Sequence, residues 1–191
     1  MSLRNKPALG TSACLLGEAV RFDAGHKHDR WITGTLSQYF DLVSICPEVA
    51  IGLGIPRPPI QLKGAVNNIR VVGSRNPDLD VTDDLRRYGT KMAIQMDAIS
   101  GYIFKSKSPS CGLERVRLFP EDDGAPSRDG VGQYAAAFTA AQPLLPVEEE
   151  GRLNDPVLRD NFIERVLCFH RWQQLQNRGI TAARLIDFHS C

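Results

Sequence analysis

Cys14, Cys46 and Cys111 are the side chains of this sequence best placed for chemistry, because each thiol stands where a short apolar run breaks into a Gly- or Pro-bearing stretch. The first ends the run over 7–14, the second ends the run over 41–46 before Pro47, and the third follows Tyr102-Ile103-Phe104 within Lys-Ser-Lys-Ser-Pro-Ser-Cys-Gly. Thiolates are soft ligands that suit iron–sulfur clusters or zinc. A cube-type cluster bound by three cysteines keeps one iron without a protein ligand, and that iron can act as a Lewis acid toward sulfur. Zinc takes a fourth donor, which His26 or His28 in Gly-His-Lys-His-Asp can supply. Three packed, unliganded thiols are the third reading. The spacing is not the tight Cys-x-x-Cys of a zinc ribbon or ferredoxin, so spacing alone leaves all three open. Cys168 lies beside Leu167 and Phe169 in a helical pattern and reads as a packed core cysteine; Cys191 reads as incidental.

Such thiols meet only if the fold brings them together, which directs attention to the elements around them. The run over 7–14 reads as a short strand ending at Cys14, the run over 41–46 has the look of a buried parallel strand, and Pro47 forces the second segment out of its sheet. Residues 66–73 and Tyr102-Ile103-Phe104 are further strand candidates, and 34–41 reads as the end of a helix. Thr82, with Asp83 and Asp84 behind it, predicts a helix start capped by the threonine hydroxyl. Leu85, Tyr88, Met92, Met96 and Ile99 continue it with one apolar face, to a stop at Gly101. Residues 120–130 read as a polar loop, followed by a helix over 131–141 and a strand near 143–148. Strands alternating with helices predict an α/β fold with an open, mainly parallel sheet flanked by helices, Rossmann-like in plan. Ligands of such sheets bind at the carboxyl ends of the strands, where the three thiols are expected.

Beyond residue 150 the pattern becomes helical. Pro156 opens a helix with Leu158, Phe162, Val166 and Phe169 on one stripe, and a second helix begins at Thr181. This predicts two parts: residues 1–150 as the sheet domain, and 151–191 as a helical extension, the truncated start of a second domain. Composition excludes several partners. Lys and Arg total 23 against 22 Asp and Glu, so no net field favours a long nucleic acid or an anionic membrane. No apolar run follows Met-Ser-Leu-Arg-Asn-Lys or reaches bilayer-spanning length, which predicts a cytoplasmic protein. Five cysteines, an odd number, argue against a disulfide framework. A small-molecule partner is expected; oligomeric state is not readable.

The strings Ser12-Ala13-Cys14-Leu15-Leu16-Gly17, Val20-Arg21-Phe22-Asp23, Cys46-Pro47-Glu48-Val49 and Lys105-Ser106-Lys107-Ser108-Pro109-Ser110-Cys111-Gly112 together resemble the thiouracil desulfurase family. Phe22 and Ala24 stand where that family often has Tyr and Gly. The resemblance implies a [4Fe–4S] cluster on Cys14, Cys46 and Cys111. It also implies non-redox hydrolysis of a small thiolated pyrimidine to uracil and sulfide. The tail, from Asn161-Phe162-Ile163-Glu164-Arg165 onward, resembles the beginning of a helical domain often fused behind this one. On that reading Glu48, two residues past a ligand, is the expected general base. Ser106 is the first choice for orienting substrate or water, and Ser108, Ser110 and Lys107 are expected to contact substrate. Lys105 either offsets cluster charge or is solvated. Arg57 either meets a substrate group or is an exposed arginine in a stiff proline loop. Asp23, His26 and Lys27 read as a solvated loop. The alternative from another class is a zinc-binding or thiol-sensing interaction module without catalysis.

Overall fold

The computed structural model describes residues 6–122 and 124–190, so Cys191 lies outside it. Its centre is a sheet of four parallel strands, β1 (Ala8–Ser12), β2 (Asp41–Ile45), β5 (Gly101–Phe104) and β8 (Val147–Glu149), in the order β2-β1-β5-β8. All three pairings are parallel. The chain leaves β1 for β2 on one side and meets β5 on the other, so the strand order reverses beside β1. A crevice at the carboxyl ends follows from that reversal.

Alternation along β5 divides the core in two. Tyr102 and Phe104 point into one cluster with Leu85, Tyr134 and Phe138, and Ile103 points into another with Leu9, Ile32, Phe162 and Val166. Side chains of a strand alternate between faces, so a buried central strand must be apolar on both. The first cluster holds α3 (Thr82–Gln95) and α4 (Gln133–Ala141) on the sheet. The second holds α1 (Arg30–Gly34) and α5 (Pro156–Asn177). A short α2 (Pro47–Ala50) starts immediately after Cys46, and α6 (Ala182–His189) rests on α5, with Phe188 against Trp172.

Sheet class and helix placement agree with the sequence reading, but the fold adds a second sheet that the sequence pattern does not announce. β3 (Ile60–Ala65), β4 (Asn68–Gly73), β6 (Val116–Phe119) and β7 (Ser127–Gly130) form it in the order β4-β3-β6-β7. Only β4 among these is expected from sequence, and β7 falls inside the stretch that reads as a loop. Ser-Arg-Asp-Gly carries no apolar alternation; β7 exists because it pairs antiparallel with β6.

Local expectations differ in four places. Thr82 does not cap its own helix: its hydroxyl accepts the Val71 amide at 2.8 Å and ties α3 to β4. The α3 helix ends at Gln95, and Gly101 opens β5 instead of stopping the helix. The helix near 34–41 is α1 followed by a 3₁₀ turn, Leu36–Gln38. Cys168 is exposed, not packed, because Phe162 and Val166 set the buried side of α5 and Cys168 falls on the other. No helix among the described residues is long and apolar enough to cross a membrane.

Candidate active site

One cavity of about 330 Å³ opens at the carboxyl ends of the parallel strands, near the lower end of ligand-sized cavities, roughly 300–1,000 Å³. Cys14, Cys46 and Cys111 all line it, with Glu48, Arg57, Lys105, Ser106, Lys107 and Ser108. The thiols arrive on three separate devices. Cys14 sits in the 3₁₀ turn Ala13–Leu16 that follows β1, and Gly17 closes the turn with φ +93°, a conformation open to glycine at little cost. Cys46 precedes α2, whose first residue is Pro47, a ring pre-set for the first helical position.

Cys111 ends the loop after β5, and that loop is tied from all sides. Ser108 Oγ accepts the amides of Ser110 (3.2 Å) and Cys111 (3.1 Å). The start of α4 docks beneath, with the Gln133 amide on Pro109 O and the Ala135 amide on Ser110 O. Gly132 makes that approach possible: a Cβ there would lie 2.5 Å from Ser110 O and 2.8 Å from the Cys111 amide nitrogen. Buried Glu149 accepts the Leu113 amide at 2.8 Å and holds the far side.

Burial dominates the thiol chemistry. It raises Cys14 to about 11, opposed by the Lys105 and Arg21 cations. It raises Cys46, against which the amides of Val49 and Glu48 and the charge of Arg57 work. Cys111 is pushed well above the ordinary range by burial and by Glu48, while a hydrogen bond from Ser12 favours its thiolate. Unliganded, these thiols are neutral; a soft metal group binds them deprotonated and brings positive charge of its own. The same electrostatics couple each thiol to another of the three across the cavity.

Glu48 is held more firmly than a loop carboxylate would be. Its Oε2 accepts from Arg57 Nε (3.0 Å) and Nη2 (2.8 Å), and its Oε1 accepts from Ser110 Oγ at 2.7 Å. The side chains of Arg57 and Glu48 are 5% and 15% exposed. Arg57 is therefore not a solvated arginine: four of its five N–H groups are bonded, to Glu48, Val20 O and Gly54 O. Ser110 is fully buried behind the cavity and reaches it through Glu48. Lys105 Nζ is ion-paired to Glu150 Oε1, and Lys107 is exposed at the rim.

Lys27 also reaches the cavity wall, but Asp23 and His26 do not. Neither His26 nor His28 lines the cavity with the thiols: His26 Nδ1 accepts the His28 amide, and His28 Nε2 bonds Thr33 Oγ1. No three Cys, His, Asp or Glu side chains among the described residues converge as the ligands of a single ion must. A cluster instead takes each thiolate on a separate iron, and three soft donors around one cavity fit it. Two groups at the site carry no sequence signal of their own: Ser12, whose hydroxyl accepts the Lys105 amide, and Glu150, which follows β8 much as Cys14 follows β1. The strand-end rule that locates the thiols applies equally to that glutamate.

A parallel α/β sheet gathers three thiols, a fixed carboxylate and a lysine–serine pair at its strand ends, so one switch point offers soft donors and polar groups around a single cavity. The family model of 2-thiouracil desulfurase matches residues 9–150, and the chain belongs to that family. A solved structure described as a [4Fe–4S]-dependent thiouracil desulfidase, TudS, superposes with a TM-score of 0.59 at 30% identity, covering 82% of this chain and 99% of that one. No curated protein matches the chain.

Proposed function

We propose that this chain hydrolyses the C=S bond of a thiouracil-type pyrimidine, giving the carbonyl product and hydrogen sulfide without net redox change. The observation that carries the reading is the convergence of Cys14, Cys46 and Cys111 on the cavity that also holds Glu48. Those thiolates are the ligands of a [4Fe–4S] cluster, which when bound supplies one iron free of protein ligand as a soft Lewis acid for sulfur.

The side chains account for the remaining requirements. A thiocarbonyl and a water become a carbonyl and hydrogen sulfide, so a proton must leave the attacking water. Glu48 is the base: three of the four acceptor positions on its carboxylate are taken by Arg57 and Ser110, and the one left on Oε1 is available to water. Arg57 on Oε2 and Ser110 on Oε1 fix the carboxylate, so no reorientation is needed at the moment of transfer. Ser106 orients the heterocycle, and Lys107 and Ser108 contribute polar contacts at the wall. Phe22 and Val20 supply apolar surface for the ring. Residues 151–191 are a helical extension to this catalytic unit, and a cytoplasmic site of action fits reduced thiols.

Incubation of anaerobically prepared protein with 2-thiouracil should release sulfide and uracil in equal amounts. Glu48→Gln should retain iron and lose about 10²–10⁴-fold in turnover, the range of a general base. Unchanged turnover would remove Glu48 from the reaction, and absence of sulfide from iron-loaded wild type would remove the reaction itself.

A further inference from the structure

Lys105 and Ser106 line the cavity, but the group that fixes both does not. Glu150, the first residue after β8, accepts the Ser106 amide on Oε2 at 2.7 Å and the Ser106 hydroxyl on Oε1 at 2.8 Å. The same Oε1 is ion-paired with Lys105 Nζ, and that ammonium donates to Ser106 Oγ at 3.1 Å and to Ser106 O at 3.1 Å. The Lys105 and Glu150 side chains are only 16% and 13% exposed, so water competes weakly with this arrangement.

A serine hydroxyl has one hydrogen and two lone pairs, and normally rotates to suit its partner. Here the hydrogen is committed to a carboxylate, the stronger acceptor. One lone pair faces Lys105, and the other is the only hydrogen-bonding capacity that the Ser106 hydroxyl retains for the cavity. We infer that Glu150 is a positioning residue that makes Ser106 an obligate acceptor, so that the site selects a pyrimidine presenting a ring N–H. The inference rests on the desulfurase reading and adds a specificity rule to it. A heterocycle methylated on its ring nitrogens leaves the Ser106 oxygen without a donor where the bound ring covers it, and an acceptor left unpaired on binding is costly.

Glu150→Gln lifts the constraint. The amide nitrogen that this substitution introduces can donate to Ser106 Oγ, which frees the serine hydrogen for the cavity, and the change also removes the charge partner of Lys105. The test is isothermal titration of the full chain, handled anaerobically, with uracil and with 1,3-dimethyluracil as probes. Wild type should bind uracil at least about tenfold more tightly, the factor that 1.4 kcal/mol represents. Glu150→Gln should shrink that preference by at least about threefold relative to wild type, and the steric cost of the methyl groups, common to both proteins, cancels in this comparison of preferences. Ser106→Ala, which leaves the Lys105–Glu150 pair in place, should do the same and serves if Glu150→Gln does not fold. An unchanged preference in either folded variant overturns the assignment, as does a wild type with no preference. Sulfide release from 2-thiouracil separates the levels. A wild type that releases sulfide while Glu150→Gln keeps its preference refutes only the role of Glu150. A wild type that neither binds uracil nor releases sulfide refutes the desulfurase reading and the role of Glu150 with it.

Discussion

Replacing Arg57 by Met tests the architecture behind Glu48 most directly. The change keeps an unbranched apolar stem and removes a guanidinium that donates twice to Glu48, once to Val20 O and once to Gly54 O. Removing one partner of a buried ion pair costs about 3–5 kcal/mol, because the other charge is left uncompensated. Glu48 is 15% exposed and keeps its bond from Ser110, which places the cost near the lower end, about 3 kcal/mol. Gly54 is exposed and its carbonyl returns to water, but the half-buried Val20 carbonyl adds about 1 kcal/mol. A loss of about 4 kcal/mol lowers the melting temperature of a chain this size by about 8–16 °C. Thermal unfolding of wild type, Arg57→Met, Glu48→Gln and the double variant gives the assay. The double variant should recover about 2 kcal/mol relative to the sum of the singles, because the stranded carboxylate is gone. Turnover of iron-loaded Arg57→Met should fall by about a hundredfold, the usual effect of a misplaced catalytic group, with KM changing less. If Arg57→Met melts within about 2 °C of wild type and turns over normally, Glu48 does not depend on Arg57 and the reasoning fails.

Cys14→Ser, Cys46→Ser and Cys111→Ser should each lose bound iron and the broad visible absorbance of a cluster, whereas Cys168→Ser, on the exposed side of α5, should lose neither; iron and inorganic sulfide analysis decides. Phe162→Ala empties a core position 1% exposed between α5 and the parallel sheet, and should cost about 3–5 kcal/mol in urea unfolding. His170 connects α5 to Ser100: Gln174 Nε2 donates to its Nε2 at 2.8 Å, which leaves the ring hydrogen on Nδ1 facing Ser100 Oγ at 3.0 Å. A second ring hydrogen would meet the Gln174 amide donor, and burial already lowers the His170 value from 6.5. The folded state thus binds fewer protons than the unfolded one below pH 6.5, so stability is full above that value and declines as pH falls through the window beneath it. Urea titrations at pH 7.5 and 5.5 should show a smaller acid loss in His170→Gln than in wild type; equal losses would clear His170 of the effect.

The sequence alone determined the elements whose residues carry their own signal. Apolar runs closed by Pro47, or by the Gly-bearing turn after Cys14, announce strands, but burial differs between them: β1 is central and buried, whereas β2, expected to be buried, is the edge strand of its sheet and leaves Val43 and Ser44 exposed. The 3.6-residue stripe from Leu85 onward announces a helix for the same reason of period. Since ligands of a parallel sheet lie at its strand ends, the three thiols are assignable to one place from the chain alone. The tertiary structure decided what depends on partners distant in sequence. Ser127–Gly130 becomes a strand only because β6 offers unpaired amides and carbonyls, a fact with no local pattern. Arg57 reads equally as a substrate contact or as an exposed arginine among prolines until the loop carries it against Glu48, and Glu150 is one of three consecutive acidic residues until β8 sets it beside Lys105 and Ser106. Charges and hydroxyls take their roles from whichever groups the fold places within about 3 Å, and hydrophobic period, which builds the fold, is silent about those encounters.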